Sequence, residues 1–245
     1  MKTIILCGGR GTRLNDLGTA VPKGLLKIGK NPIIWHICKS YAQFGLNEFV
    51  LCLGFLSNAF EDYFGQPVAA SLGQPQGPIA SSEGWQVDLI DTGTDTNTGG
   101  RIKRIEPVLD EPVFCVTYGD GLANIDLQKL LEFHRRHGKI ATLTAVNPIS
   151  SFGMLDLDGE GAVTSFREKP LLNEWVNGGF FVFNRSVFDY LDEGSILERE
   201  PFEQLAAAGE LMAYRHDGFW KCMDTFKDNI ELNELWSTGA PWKTW

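Results

Sequence analysis

The chain has 245 residues, of which 43% are hydrophobic, 22% charged and 11% aromatic, a balance that excludes disordered, collagen-like and coiled-coil proteins. Lys and Arg number 22 against 31 Asp and Glu, a formal charge of −9, and with no polybasic tract neither nucleic acid nor an anionic membrane is an expected partner. Its apolar runs fall far short of the ~20 residues that cross a bilayer, no signal peptide is expected because residues 1–4 run straight into a strand-like segment, and five scattered cysteines without a C-x-x-C pair read as reduced thiols. These features predict a soluble, cytoplasmic protein.

In chain order, residues 2–7 (KTIILC) form an apolar run that ends at Gly8-Gly9, the pattern of a buried strand entering a glycine loop. Residues 32–44 carry apolar side chains at helical spacing, with Gly45 as a stop. A strand over 48–53, a helix over 57–64, a strand over 113–117, a helix over 126–137 and a strand over 140–146 follow. Strands alternating with helices predict an α/β fold, a mostly parallel sheet with helices on both faces. Residues 65–84, rich in Gly, Pro, Ala and Ser, read as a lid or variable loop. The short strands 154–157, 163–167 and 179–183 predict a small antiparallel extension of the same domain. Residues 218–245 hold Trp220, Trp236, Trp242 and Trp245, an aromatic tail expected to dock on an apolar surface, in cis or on another subunit.

The first loop is the sharpest chemical signal. Gly8, Gly9 and Gly11 leave backbone N–H groups free to face a ligand, while Thr12, Arg13 and Lys23 supply donors and positive charge, so the loop reads as a phosphate site. Two competing motifs fail. Leu14 stands where a dinucleotide fingerprint needs glycine, and Asn31 stands where a Walker A loop needs Ser or Thr.

Four further positions carry alternatives. Thr98-Gly99-Gly100-Arg101 is a hairpin turn or a backbone surface beside a base or phosphates. Asp120, between glycines at a strand end, holds Mg²⁺ or caps the next helix; Asp224 offers a distant second carboxylate. Glu168, Lys169 and Asn177 are a solvated strand end with its turn, or contacts to a phosphorylated sugar. Asp156-Leu157-Asp158 imitates a sugar-transferase D-x-D but leads into Gly159 as a hairpin does. His36, His134, His137 and His216 lack zinc-ligand company, and no G-x-S-x-G nucleophile motif occurs.

Gly8-Gly9-x-Gly11-Thr12-Arg13-Leu14 with Pro22-Lys23 resembles the signature of sugar-1-phosphate nucleotidyltransferases. Thr98-Gly99-Gly100-Arg101, Tyr118-Gly119-Asp120-Gly121, Glu168-Lys169-Pro170, Asn177-Gly178-Gly179 and Met223-Asp224-Thr225 follow in order, most similar to the glucose-1-phosphate cytidylyltransferase branch. The resemblance implies a Rossmann-like domain, CTP and a sugar-1-phosphate as substrates, Mg²⁺ on Asp120 and Asp224, and a homo-oligomer. It implies Arg13, Lys23 and Lys169 as catalytic cations. The contacts around the substrates would come from Leu6, Gly8, Gly9, Gly11, Thr12, Gly99, Gly100, Gly119, Glu168, Asn177 and Gly178. One departure is Val21-Pro22-Lys23-Gly24, where the family usually carries Lys-Pro-Lys-Pro.

Overall fold

Alternation along the central strands sets the architecture, because successive side chains leave a strand on opposite faces. Ile4 and Ile5 in the first strand are both fully buried, and each belongs to a different core. The same division separates Val50 from Leu51 and Phe114 from Cys115. A sheet buried on both faces must carry a layer on each side. The computed structural model describes residues 1–9, 21–66, 68, 79–80, 83–150 and 152–245.

The elements begin with β1 (Lys2–Leu6), β2 (Lys27–Ile28), β3 (Asn31–Pro32), α1 (Ile33–Ala42), β4 (Glu48–Leu53), α2 (Ser57–Phe64), β5 (Ile79–Ala80) and β6 (Gln86–Asp91). There follow α3 (Thr98–Arg104), β7 (Val113–Tyr118), β8 (Gly121–Ala123), α4 (Leu127–His137) and β9 (Ala141–Val146). The last part holds β10 (Met154–Leu157), β11 (Val163–Arg167), β12 (Val176–Asn177), β13 (Phe181–Asn184), α5 (Glu200–Ala207), β14 (Leu211–His216), β15 (Trp220–Cys222) and α6 (Phe226–Thr238).

The main sheet runs β14, β9, β13, β7, β1, β4, β6, β5, with β12 paired to the far end of β9. The pairs β7–β1, β1–β4, β4–β6 and β9–β14 are parallel. One core packs α1, Phe60, α4, Leu232 and Trp242 against the sheet, and the other packs Ile102, Phe188, Phe202 and Leu205. This is a mixed, mostly parallel Rossmann-like α/β fold.

Three expectations change. The strand expected from residue 179 begins at Phe181 and lies within the main sheet, antiparallel between β7 and β9. Phe181, Val182 and Phe183 are all buried, as a central strand requires. The extension is therefore the ribbon β10–β11 alone, whose β10 residues are all exposed. Within 65–84, Ile79–Ala80 pairs antiparallel with β6; residues 67, 69–78 and 81–82 lie outside the described residues, so the lid reading does too. Residues 98–104 form helix α3, not a hairpin turn.

The connections position the site. From β1 the chain steps outward to β4 and β6, then crosses back to β7 on the other side of β1. Ligands of open α/β sheets bind at such a reversal, beyond the carboxyl ends of the strands. Here those ends are Leu6 and Tyr118, joined by the Gly119 N–H donating to the Leu6 carbonyl at 3.1 Å.

Candidate active site

Two short strands absent from the sequence reading bring distant carboxylates together. Beyond Asp120 the chain enters β8, which pairs antiparallel with β15 so that Gly121 faces Cys222. The Met223 N–H donates to the Asp120 carbonyl at 2.9 Å. Asp120 and Asp224 thus leave the same end of one ribbon. The capping alternative for Asp120 falls, since α4 is capped by Asp126, whose side chain accepts from the Lys129 N–H.

The Lys23 ammonium sits between the two carboxylates, 2.6 Å from Asp120 Oδ2 and 2.7 Å from Asp224 Oδ1. A single tight turn over Lys23–Leu25 fixes its backbone, with the Leu25 N–H donating to the Pro22 carbonyl at 2.8 Å. Burial pushes the ammonium pKa down, but the charges and hydrogen bonds of Asp120 and Asp224 outweigh it and hold the pKa above the ordinary lysine value. Lys23 is therefore cationic throughout the neutral range.

Two thiols border this cluster. Cys222 donates to Asp224 Oδ2 at 3.2 Å, and burial together with that carboxylate pushes its pKa up to about 12. Burial also raises the Cys7 thiol well above its usual value. Both stay protonated at neutral pH, so neither is an activated nucleophile.

Cavities open on both sides of Asp120. One is lined by Leu6, Cys7, Gly9, Lys23, Gly24, Gly119 and Asp120. The other is lined by Tyr118, Asp120, Gly121, Asn177, Gly178, Trp220, Cys222 and Asp224. In its wall the Trp220 indole donates to the Gly178 carbonyl at 2.8 Å. The Tyr118 hydroxyl accepts from Asn177 Nδ2 at 3.2 Å and donates to Glu198 at 2.5 Å. Burial and the Glu198 charge raise the Tyr118 pKa, so the phenol remains neutral.

Positive charge also lies beneath the first loop. Arg101 is 4% exposed, and its guanidinium donates to the carbonyls of Leu53, Gly93 and Gly8 and to the Thr92 hydroxyl, at 2.7–3.0 Å. A Cβ on Gly8 would stand 1.9 Å from Arg101 Nη1, so only glycine permits this approach. Gly99 and Gly100 serve a similar end. Cβ atoms there would meet Ser195 at 2.8 Å and the Glu193 carbonyl at 2.2 Å, so these glycines admit the 193–195 backbone against α3.

The remaining expected residues divide. Leu6, Gly9, Lys23, Gly119 and Asp120 line the first cavity, and Asn177, Gly178 and Asp224 the second. Glu168 and Lys169 follow β11 and line neither; they face each other at 3.9 Å, both well exposed, with Lys169 at φ 44°. Gly11, Thr12 and Arg13 lie outside the described residues. Asp156 pairs with Arg167 at 2.6 Å, while Asp158 Oδ1 accepts from the Glu160 and Ala162 N–H groups, which makes the D-x-D a hairpin device. Trp220, Cys222 and Glu198 were not singled out from sequence; Trp220 was hidden within the aromatic tail, and Glu198 had no motif around it.

Asp120 and Asp224 are the groups that could hold a metal. They are hard oxygen donors, both already within 2.7 Å of one cationic nitrogen. Among the described residues no group of three His, Cys, Asp or Glu is arranged around a metal position. Mg²⁺ accepts one or two carboxylates and completes its shell with water and substrate phosphates, so this pair fits it.

Comparison with known proteins gives the family. Residues 2–237 match the nucleotidyl transferase family. The glucose-1-phosphate cytidylyltransferases of Salmonella typhi and Salmonella typhimurium are each 44% identical, over 100% of both chains. Among solved structures, HddC from Yersinia pseudotuberculosis superposes with a TM-score of 0.72 at 21% identity, covering 96% of this chain and 99% of its own, which shows the shared fold. Matched over nearly its whole length and aligned end to end with such relatives, the chain belongs to the nucleotidyl transferase family.

Proposed function

We propose that the protein joins CTP to glucose-1-phosphate, giving CDP-glucose and pyrophosphate, with Mg²⁺ as cofactor. The full-length likeness to glucose-1-phosphate cytidylyltransferases supports the choice of substrates. The observation that carries the reading is the Lys23–Asp120–Asp224 cluster, set at the sheet's reversal with a cavity on either side. That is the layout two phosphorylated reactants need.

A phosphate oxygen of the sugar phosphate attacks the α-phosphorus of CTP, and the bond from that phosphorus to the pyrophosphate oxygen breaks, its electrons leaving with pyrophosphate. The chemistry needs no protein nucleophile, in keeping with protonated Cys7 and Cys222. Repulsion between two phosphates is the main obstacle, each carrying about −1.5 to −2 charges near neutrality. When bound, a divalent ion on Asp120 and Asp224 supplies positive charge at the phosphate oxygens. Lys23 faces the same oxygens from the floor of the first cavity, and buried Arg101 adds a fixed positive charge below Gly8. Gly8, Gly9, Gly11, Thr12 and Arg13 cradle the nucleotide phosphates, with Gly99 and Gly100 behind them. Asn177, Gly178 and Glu168 hold the sugar, and Lys169 meets its phosphate.

Homo-oligomerisation belongs to the same proposal. Its support is the ribbon β10–β11, where Leu155, Leu157, Val163 and Phe166 are all at least half exposed, as is Phe152 just before it. Five free thiols and a nucleotide substrate support a cytoplasmic location; no helix among the described residues is long and apolar enough to cross a membrane.

The test is a pyrophosphate-release screen of four nucleoside triphosphates against several sugar phosphates, with and without Mg²⁺. Release with CTP and glucose-1-phosphate above all other pairs is the expected result. Release with another pair alone reassigns the substrates, and none with any pair rejects the reaction.

A further inference from the structure

Segment 192–198 is fastened to α3 and its N-cap. Asn97 Nδ2 donates to the Gly194 carbonyl at 3.1 Å, the Gly100 N–H to the Ser195 carbonyl at 3.0 Å, and Arg104 pairs with Glu193 at 3.1 Å. Thr98 completes the attachment, its hydroxyl donating to Glu198 Oε2 at 2.6 Å while accepting from the Leu197 N–H at 3.0 Å. With Oε2 held in this way, Oε1 of Glu198 accepts from the Tyr118 hydroxyl at 2.5 Å.

That bond determines what Asn177 presents. The Tyr118 hydroxyl, its single proton committed to Glu198, can only accept from Asn177, which turns Nδ2 towards it at 3.2 Å. Asn177 Oδ1 meanwhile accepts from the Gly179 N–H at 2.9 Å. Both ends of the amide are assigned, and its second N–H remains as a donor to a ligand oxygen in the cavity that Tyr118 and Asn177 line. Without Glu198, the phenol proton is free to point at the amide and favour a flip that brings Oδ1 round to it, and only the Gly179 N–H, bonded to Oδ1 at 2.9 Å, still opposes that flip.

We infer that Glu198 is a positioning residue for the sugar phosphate, acting through Tyr118 to orient the Asn177 amide as a donor. It does so from a segment anchored on α3, whose Arg101 holds the Gly8 carbonyl. The inference rests on the proposal that the Asn177 cavity takes the sugar phosphate.

The test measures KM for each substrate in Glu198→Ala, Glu198→Gln, Tyr118→Phe and the Glu198→Ala/Tyr118→Phe double variant. Calorimetry of glucose-1-phosphate with the CTP-bound wild type, and thermal melts as folding controls, accompany it. Glu198→Ala should raise KM for glucose-1-phosphate about tenfold, the order of one lost hydrogen bond, with KM for CTP within about twofold. Glu198→Gln keeps an acceptor oxygen for Tyr118 and should recover most of the loss. Tyr118→Phe should match Glu198→Ala, and the double variant should be no worse than either, because the residues act in series. An unchanged KM for the sugar phosphate in Glu198→Ala, equal rises for both substrates, or additive losses in the double variant would overturn the inference. Failure of the wild type to bind glucose-1-phosphate would instead reject the substrate assignment, and the inference with it.

Discussion

Lys23 Nζ lies 2.6 Å from Asp120 Oδ2, across 97 residues of chain, and the same nitrogen reaches Asp224 Oδ1 at 2.7 Å. The ammonium keeps two converging carboxylates from repelling one another, and the same two carboxylates would hold a divalent ion. Lys23→Met should therefore lower the melting temperature, and Mn²⁺ alone should restore more of it in the variant than it adds to the wild type. Asp224 is 47% exposed, so solvent screens part of the effect. Thermal melts with and without Mn²⁺ check this; equal metal shifts in both proteins would contradict it.

Gly8→Ala places a Cβ 1.9 Å from Arg101 Nη1, a guanidinium already committed to four carbonyls and a hydroxyl. The guanidinium can make way only by giving up these bonds, and overpacking of this kind costs about 1–3 kcal/mol, or roughly 2–4 °C per kcal/mol for a chain of this size. Gly9→Ala meets nothing within 4 Å among the described residues and should leave the melting temperature near the wild-type value. A melt of the two variants side by side separates a packing glycine from an open one.

Trp242 is fully buried beside His36, Trp236 and Phe219. The aromatic tail thus docks in cis, with Trp242 as its anchor. Trp242→Ala should cost about 3–5 kcal/mol, as for other large aromatic deletions from a core, measured by chemical denaturation. A loss under about 1 kcal/mol would mean that the tail contributes little to folding.

His36 ties that anchor to pH. Its Nε2 lies 2.9 Å from the Ile28 carbonyl and therefore carries the proton, leaving Nδ1 to accept the Trp242 indole at 3.4 Å. Burial holds its pKa below the ordinary histidine value, and burial does the same for His134. The unfolded chain then binds more protons than the native one once pH falls below about 6.5. Stability from these groups is present above that pH and is lost as pH falls. The melting temperature should drop between pH 7 and pH 5, with a change in tryptophan fluorescence as the tail loosens.

Much of the fold was legible because its signals are local. Strand 48–53 and helix 57–64 match their expected bounds, and the helix expected over 126–137 begins with Asp126 as its cap and ends at Gly138 in the left-handed region. The glycine loop, Lys23, Asp120 and Asp224 were visible as residue types at strand ends. Their convergence came only from the family resemblance and not from the residue pattern, because it depends on β8 pairing with β15, two three-residue strands far apart in the chain. Central placement of β13 was likewise hidden, since a short apolar run reads alike at a sheet's edge and at its centre. Gly99 and Gly100 carried a correct signal of close approach, but its object among the described residues is backbone 193–195, and one sequence does not distinguish a neighbour from a ligand.

The most direct test of the central claim, that Lys23, Asp120 and Asp224 act as one phosphate-transfer unit, is the initial rate of Mg²⁺-dependent pyrophosphate release from CTP and glucose-1-phosphate. It is measured in the wild type, Lys23→Gln, Asp120→Asn, Asp224→Asn and the triple variant. Each single change should cut the rate by about 10²–10³, with the triple variant scarcely slower than the worst single one, as for groups that work together. Single variants that turn over at the wild-type rate, or losses that multiply independently in the triple variant, would contradict the account.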